Sequence, residues 1–226
     1  MEEIVTWCTP PAMPLLPKSG ELHLWLIDLD IPPVDFARNL STEEANRADR
    51  LLDTVGSRRF VAARGCMKKI LADYLKTDAG GISFRYGGKG KPQIAGPGTR
   101  LRFNLSHSGH LALLALTCQY EIGVDIEPLK PRPILLAIAR KMFGTKVHEM
   151  LASLDEPRRT EQFFQLWTAL EARAKCQGSS VFGQPDTDIP VRNFAPEAGW
   201  IAAVAVSQGV PEISKWCTYR LTSTDF

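Results

Sequence analysis

One stretch near the middle of the chain constrains the fold more than any other. Residues 111–116 are almost wholly apolar and have the length of a buried β-strand, and residues 122–126 form a second strand-like run after a short polar turn. A polar segment at residues 104–108 precedes this pair, and two carboxylates, Asp125 and Glu127, end it. Because side chains alternate along a strand, both carboxylates are predicted to lie on one face.

Two neighbouring carboxylates are suited to holding Mg²⁺, which prefers oxygen ligands and keeps water or phosphate oxygens in its remaining positions. The same residues, directly before Pro128, are also typical of solvated charges at a strand end. The pair alone leaves both interpretations open.

A long helix is predicted further along the chain. The acidic and proline residues at 155–157 are typical of a helix start, and Gly178 is typical of a helix end. Within this helix Trp167, Glu171 and Lys175 recur every four residues, so they are predicted to share one face. Taken singly, the Glu171–Lys175 spacing is also typical of an ordinary surface ion pair.

Together these segments resemble the ordered signature of 4′-phosphopantetheinyl transferases. The motifs are Asn104-Leu105-Ser106-His107-Ser108, then Gly123-Val124-Asp125-Ile126-Glu127, then Trp167-Thr168-Ala169-Leu170-Glu171-Ala172-Arg173-Ala174-Lys175. Their spacing and the chain length are similar to the surfactin-synthetase-activating (Sfp-type) class. The resemblance implies an α+β fold of two similar α/β halves related by a pseudo-two-fold axis, with a ligand cleft between them.

An internal repeat also favours two halves. The order long helix, strand, loop, apolar strand occurs in residues 58–117 and again in residues 157–207. We therefore expect an N-terminal half at residues 1–115, on the side of the coenzyme A 3′-phosphate and adenine, and a C-terminal half at residues 116–226, with the metal and the catalytic helix.

The family resemblance implies an enzyme that moves the 4′-phosphopantetheine arm of coenzyme A to a serine hydroxyl of an apo acyl or peptidyl carrier protein and releases 3′,5′-ADP. Coenzyme A is then the substrate, Mg²⁺ the cofactor and the carrier protein the partner. The implied metal ligands are Asp125, Glu127 and Glu171, and the implied catalytic residues are Glu171, Lys175 and His107. Whether Glu171 is a third metal ligand or the general base on the serine stays open.

The residues that the resemblance assigns to coenzyme A are mostly basic: Arg47, Arg59, Arg64, Lys68, Lys91, Pro92, Ser106, His107 and Lys175. Those on the first two helices are similar to residues that hold the 3′-phosphate, whereas Gly90-Lys91-Pro92 matches a motif that lies against the adenine and ribose. Ser106 and His107 are expected to bind phosphate oxygens, and Lys175 the phosphate whose charge shifts during transfer.

One residue departs from the family pattern. Family members usually have Lys immediately before the helix Glu, and this chain has Leu170. The departure leaves the carboxylates intact, but it keeps open an alternative function, a catalytically degenerate homologue that only binds coenzyme A or a nucleotide.

Charge distribution and composition indicate what kinds of ligand and cellular location to expect. Residues 38–102 hold 14 Arg and Lys against six Asp and Glu, a net charge of +8, although the whole chain carries only +2. This asymmetry favours one half that holds an anion and another that holds a metal or a basic surface. The net charge of the whole chain argues neither for nor against nucleic acid, which is not among the expected partners. Five dispersed cysteines and the absence of a long apolar run predict a reduced, cytoplasmic protein without a membrane span, and we expect a monomer.

Periodicity and end signals predict the individual elements. Helices are expected over residues 41–53, 58–75, 134–143, 145–154 and 157–177, the first opened by a capping box of Ser41 and Glu44. Strands are expected over residues 21–29, 82–86, 111–116, 122–126, 189–194, 199–206 and 216–221.

Overall fold

Two β-sheets that share an apolar core organise the molecule, as seen in a computed structural model that describes residues 5–30, 36–88, 90–96, 98–183 and 185–222. The strands are β1 (Leu22–Asp28), β2 (Phe84–Tyr86), β3 (Pro92–Ile94), β4 (Leu101–Ser108), β5 (Leu111–Cys118), β6 (Ile122–Pro128), β7 (Val191–Phe194), β8 (Trp200–Val206) and β9 (Trp216–Leu221). The α-helices are α1 (Thr42–Asp49), α2 (Thr54–Leu75), α3 (Leu135–Phe143), α4 (Thr145–Ala152) and α5 (Arg158–Gln177).

The strand order repeats between the two sheets, which confirms the predicted α+β fold. The first sheet has the order β4-β5-β1-β9 and the second the order β6-β8-β7, while β2 and β3 form a separate hairpin. In chain order β1, α2, β4 and β5 correspond to β6, α5, β7 and β8, and the shared pairs β1–β5 and β6–β8 are both antiparallel. Each half is therefore one strand, one long helix and two further strands.

Apolar side chains fill both sides of these sheets. Leucines of β1 and β5 pack against Ile122, Val124 and Ile126 of β6 and against β8, which joins the two sheets in one core. The opposite face of the first sheet packs against α2. On the second sheet Ala203 and Ala205 pack against Ala172 and Cys176 of α5. Because the contacting residues of the helix and of the sheet are small, α5 lies close to the sheet.

The last strand returns to the first half. β9 is the strand predicted at residues 216–221, and it pairs in parallel with β1 as an edge strand of the N-terminal sheet. The expected division between residues 115 and 116 falls inside β5, which continues to Cys118. The division into two halves remains a proposal. In the structure the turn between them follows Cys118, and β9 belongs to the sheet of the N-terminal half although it comes last in the chain.

Most predicted elements are present, and the differences lie at their ends. Ser41 and Glu44 form the capping box, but α1 ends at Asp49 rather than at residue 53. Asp53 instead caps α2, since its carboxylate accepts hydrogen bonds from the backbone N–H groups of Val55 and Gly56. Consequently α2 begins four residues before the predicted start. The described part of the chain contains no helix long and apolar enough to cross a membrane.

Candidate active site

The polar face of β4 is hydrogen-bonded to β6 at the junction of the two halves. The contacts are Val124 N to Asn104 Oδ1 at 2.9 Å, Ser106 Oγ to Asp125 Oδ1 at 2.8 Å and Ser108 Oγ to Glu127 Oε2 at 2.8 Å. On β4 every second residue takes part, and on β6 the partners are one backbone N–H group and the two carboxylates. The alternating polar motif is therefore itself a strand, and it orients both carboxylates.

Helix α5 lies directly on this part of β6. A Cβ atom added to Gly123 would come within 2.1 Å of the carbonyl oxygen of Ala172 and 2.3 Å of the amide nitrogen of Cys176. Only glycine permits this approach. The same face of α5 carries Glu171 and Lys175, so the close packing brings them to the carboxylates of β6.

Lys175 is the centre of the arrangement. Its ammonium nitrogen lies 2.7 Å from Asp125 Oδ1, 3.0 Å from Ser106 Oγ and 3.7 Å from Glu171 Oε2. Three residues predicted from separate motifs, Asp125, Ser106 and Glu171, thus meet around one cation.

Burial and like charge make the two glutamates weaker acids than usual. The pKa of Glu171 is raised by burial, with further increases from Asp125 and Glu127 and an opposing effect of Lys175. The pKa of Glu127 is raised by burial and then by Asp125, although the hydrogen bond from Ser108 and the charges of Arg132 and Lys175 oppose the shift. The three carboxylates therefore share one electrostatic environment.

The fit of a metal ion rests on Asp125. This residue is only 5% exposed, and its Oδ2 atom is buried without a hydrogen-bond partner. A buried carboxylate oxygen without a donor is a natural ligand for a cation. Within the described ranges, however, no three acidic, histidine or cysteine side chains stand together as a ligand set. As the side chains lie, Lys175 supplies the positive charge between Asp125 and Glu171.

His107 and Arg47 interact electrostatically. His107 is an exposed residue of β4, and the pKa of its imidazole is lowered by partial burial and then by the charges of Lys175 and Arg47. The guanidinium of Arg47 lies 5.3 Å above the ring of Phe60 on α2. Of the basic residues expected on the first two helices, Arg47 is thus linked electrostatically to the site.

The three residues of α2 that were expected to bind coenzyme A are paired with carboxylates. Arg59 forms a bidentate pair with Asp30, at 2.7 and 2.9 Å. Arg64 and Lys68 both bind the buried Glu44, at 2.7 and 2.8 Å, and Lys68 itself is only 3% exposed. Lys68 therefore has an internal partner, the same glutamate that completes the capping box of α1.

Lys91 points away from solvent as well. Its ammonium donates to Glu121 Oε2 at 2.6 Å and to the carbonyl oxygens of Ile122 and Cys176, both at 3.0 Å. Pro92 begins β3 and is paired with Tyr86 across the hairpin. The Gly-Lys-Pro motif thus contacts the C-terminal half through its lysine.

Several polar residues at the site have no role assigned by the sequence. Arg132 lies 3.3 Å from Glu127, and Glu44 and Glu121 neutralise predicted ligands of coenzyme A. Of these three residues, the sequence singled out only Glu44, and it did so as part of the capping box of α1 rather than as a partner of basic residues. The rings of Trp167 and Phe163 stack with their centroids 6.1 Å apart, and Leu170 is half-buried on α5.

Comparison with known proteins identifies the family. A model of the 4′-phosphopantetheinyl transferase superfamily matches residues 121–213, and a model of a 4′-phosphopantetheinyl transferase N-terminal region matches residues 34–119. The transferase HetI of Nostoc sp. is 37% identical over 197 residues, 84% of this chain and 82% of that protein. The chain belongs to the 4′-phosphopantetheinyl transferase superfamily.

Other relatives agree with this assignment. The putative 4′-phosphopantetheinyl transferase slr0495 of Synechocystis sp. is 34% identical over 175 residues, 76% of this chain and 71% of that protein. The transferase Sfp of Bacillus subtilis is 29% identical over 146 residues, 65% of this chain and 63% of that protein. The resemblance seen in the sequence motifs is thus confirmed over both halves of this phosphopantetheinyl transferase.

Proposed function

We propose that this phosphopantetheinyl transferase moves the 4′-phosphopantetheine arm of coenzyme A to a serine hydroxyl of an apo acyl or peptidyl carrier protein, with Mg²⁺ as cofactor. The observation that carries the proposal is the meeting of Lys175, Asp125 and Ser106 within 3.0 Å of one another, with Glu171 beside them. A cation, a hydroxyl donor and a carboxylate of raised pKa at one junction are suited to the transfer of a phosphate group to an alcohol.

The residues of this chain have separable tasks in that reaction. Glu171, whose pKa is raised, takes the proton of the carrier serine. The serine oxygen then forms a bond to the phosphorus that bears the pantetheine arm, and the bond from that phosphorus to the bridging oxygen breaks, its electron pair leaving with 3′,5′-ADP. Lys175, Ser106 and His107 bind the phosphate oxygens on which charge accumulates.

Asp125 and Glu127 would hold the magnesium ion, which when bound neutralises pyrophosphate charge. The unpartnered Oδ2 of Asp125 supports this assignment. The position of Lys175 between Asp125 and Glu171 favours Glu171 as the base, so we assign it that role rather than that of a third ligand.

The surface beside Glu127 suits an acidic partner protein. Residues 129–148 contain five Lys and Arg and no Asp or Glu, and they run directly on from β6. Ile134 at the start of α3 is 64% exposed, and Phe182, which lies 5.4 Å from the Lys141 ammonium, is 71% exposed. A basic surface with exposed apolar side chains is complementary to a carrier domain with acidic residues around its serine.

Transfer is tested directly with fluorescent coenzyme A and a panel of apo acyl and peptidyl carrier proteins. We expect a covalently labelled carrier whose label depends on the acceptor serine and is lost in Asp125→Asn and Glu171→Gln. Asp73→Asn is the matched control, because this carboxylate pairs with Lys69 on the outer surface of α2.

Two outcomes would contradict the proposal. Calorimetric binding of coenzyme A without labelling of any carrier would favour the degenerate, binding-only homologue that Leu170 leaves open. Release of free phosphopantetheine from coenzyme A without a carrier would instead indicate a phosphodiesterase.

A further inference from the structure

The Lys91 ammonium has a complete set of partners inside the protein. It donates to the Glu121 carboxylate at 2.6 Å and to two backbone carbonyl oxygens at 3.0 Å, and its side chain is only 10% exposed. An ammonium group has three N–H donors, so no donor is left for a ligand.

The two carbonyl groups belong to the elements that carry the active site. Ile122 begins β6, three residues before Asp125, and Cys176 follows Lys175 in the last turn of α5. Carbonyl groups at the end of a helix lack partners within the helix, and a cation there is favourable. Lys91 therefore joins the end of α5 to the start of β6 from the hairpin of the other half.

Glu121 completes the contact on the side of the C-terminal half. Its carboxylate also lies 3.2 Å from Arg102, and its backbone oxygen accepts hydrogen bonds from Ser207 N at 3.0 Å and Cys176 Sγ at 3.2 Å. Glu121 is thus fixed to α5 and to the second sheet. If Lys91 moved to a phosphate, this carboxylate and both carbonyl oxygens would lose a charged donor.

We infer that Lys91 is a positioning residue for the transfer reaction and that its ammonium is not a ligand of the coenzyme A phosphates. It holds α5 against β6 and thereby sets Glu171 and Lys175 relative to Asp125. The inference rests on the proposed function for its kinetic consequence, whereas its structural consequence is independent of any activity.

The kinetic test compares Lys91→Met and Glu121→Gln. The two possible roles of Lys91 predict different effects for Glu121→Gln, because a glutamate does not itself bind phosphate. If Lys91 binds a phosphate, Glu121→Gln should keep full activity. If Lys91 positions α5, Glu121→Gln should lower kcat. We expect both variants to lower kcat, by about 10- to 100-fold for a displacement near 1 Å, with the calorimetric Kd for coenzyme A nearly unchanged. The double variant should be no slower than Lys91→Met alone, because the two residues act as one unit. Lys69→Met, which removes a lysine from a surface pair with Asp73, is the control and should keep the kcat of the unmodified protein.

A weakened Kd for coenzyme A in Lys91→Met, together with full activity of Glu121→Gln, would overturn the inference and restore the ligand role. If Lys91→Met fails to fold, Glu121→Gln decides alone, since it keeps the lysine. The structural arm is hydrogen exchange at residues 170–178 and 122–127, which should accelerate in both variants and not in Lys69→Met. Unchanged exchange would also overturn the inference. If the unmodified protein labels no carrier, the proposed function fails, while the exchange experiment still tests the contact.

Discussion

At the scale of single residues, the positive charge of Lys175 offsets the negative charges of the neighbouring carboxylates. Its ammonium lies 2.7 Å from Asp125 Oδ1 and therefore competes with any metal ion for that carboxylate. Lys175→Met should bind Mn²⁺ more tightly than the unmodified protein in the absence of coenzyme A, by about tenfold, or about 1.4 kcal/mol. The side chain is 28% exposed, so solvent screening keeps the expected effect modest.

Electron paramagnetic resonance of Mn²⁺ measures this affinity without any turnover. Lys175→Arg keeps the charge and should not show the increase. Weaker Mn²⁺ binding in Lys175→Met, or binding that does not respond to Asp125→Asn, would mean that Asp125 is not the site of the cation.

His23 provides a pH dependence that belongs to the core and not to the active site. Its Nδ1 atom lies 2.6 Å from the hydroxyl of Tyr74, and its buried Nε2 atom has no hydrogen-bond partner. Burial lowers the pKa of His23, although Glu21, 3.7 Å from Nε2, opposes the shift. The neutral form is therefore preferred in the folded protein, whereas the unfolded chain takes up a proton near pH 6.5.

These pKa values determine how the free energy of unfolding changes with pH. The stabilisation is complete above the pKa of the unfolded chain, and it is lost as the pH falls from about 6.5, by at most about 1.4 kcal/mol per pH unit for this group. His23→Gln should reduce the slope of the free energy of unfolding between pH 7 and 5, measured by urea titration with circular dichroism. An identical slope in His23→Gln would show that His23 is not responsible.

Residue-scale predictions from the sequence succeeded where the information was local. Alternation along one strand was sufficient to put Asp125 and Glu127 on one face, and the four-residue spacing aligned Glu171 with Lys175. The partners of Arg64, Lys68 and Lys91 could not be predicted, because Glu44 and Glu121 approach them from other elements. Sequence spacing contains no record of such distant ion pairs.

At the scale of elements, β6 and α5 approach each other closely at Gly123. Gly123→Ala would bring a methyl group to 2.1 Å from the Ala172 carbonyl oxygen, and backbone atoms on both sides cannot give way as a flexible side chain does. We expect a loss of about 1–3 kcal/mol of unfolding free energy or more, and a lower transfer rate, because α5 must shift away from Asp125.

Chemical denaturation and the carrier-labelling assay measure these two effects. Gly81→Ala is the matched control, since a Cβ atom there meets only the Thr77 hydroxyl at an ordinary 3.8 Å. A Gly123→Ala variant with the stability and rate of the control would contradict the direct packing of α5 on β6.

Element boundaries were predictable only where a cap marked them. The capping box and Gly178, which has the left-handed φ of 65° at the end of α5, were read correctly. The start of α2 was missed because Asp53 was assigned to the preceding helix. β3 has only three residues, too few for a periodic pattern. β4 was not predicted as a strand, because its polar face packs on another strand rather than on solvent.

At the scale of the whole molecule, the two halves are repeats in topology but not independent in packing. The parallel pairing of β9 with β1 was not predictable, since an edge strand can join either sheet and its sequence does not record which. One apolar core contains residues of β1 and β5 as well as β6 and β8, so separating the halves would expose both sheets. β9 supplies the first half with Trp216 and Leu221, both at least nine-tenths buried.

Separate fragments of residues 1–120 and 121–226 should therefore each lack cooperative unfolding, and mixing them should restore it. The intact chain should lose both sheets in a single urea transition, because loss of either sheet exposes the shared core to water. Circular dichroism of the fragments, alone and mixed, measures the first effect, and hydrogen exchange at β5 and β8 across the urea transition measures the second. A cooperative transition in either fragment alone would mean that a half is stable without its partner, and the shared core would then contribute little to the stability of the active-site junction.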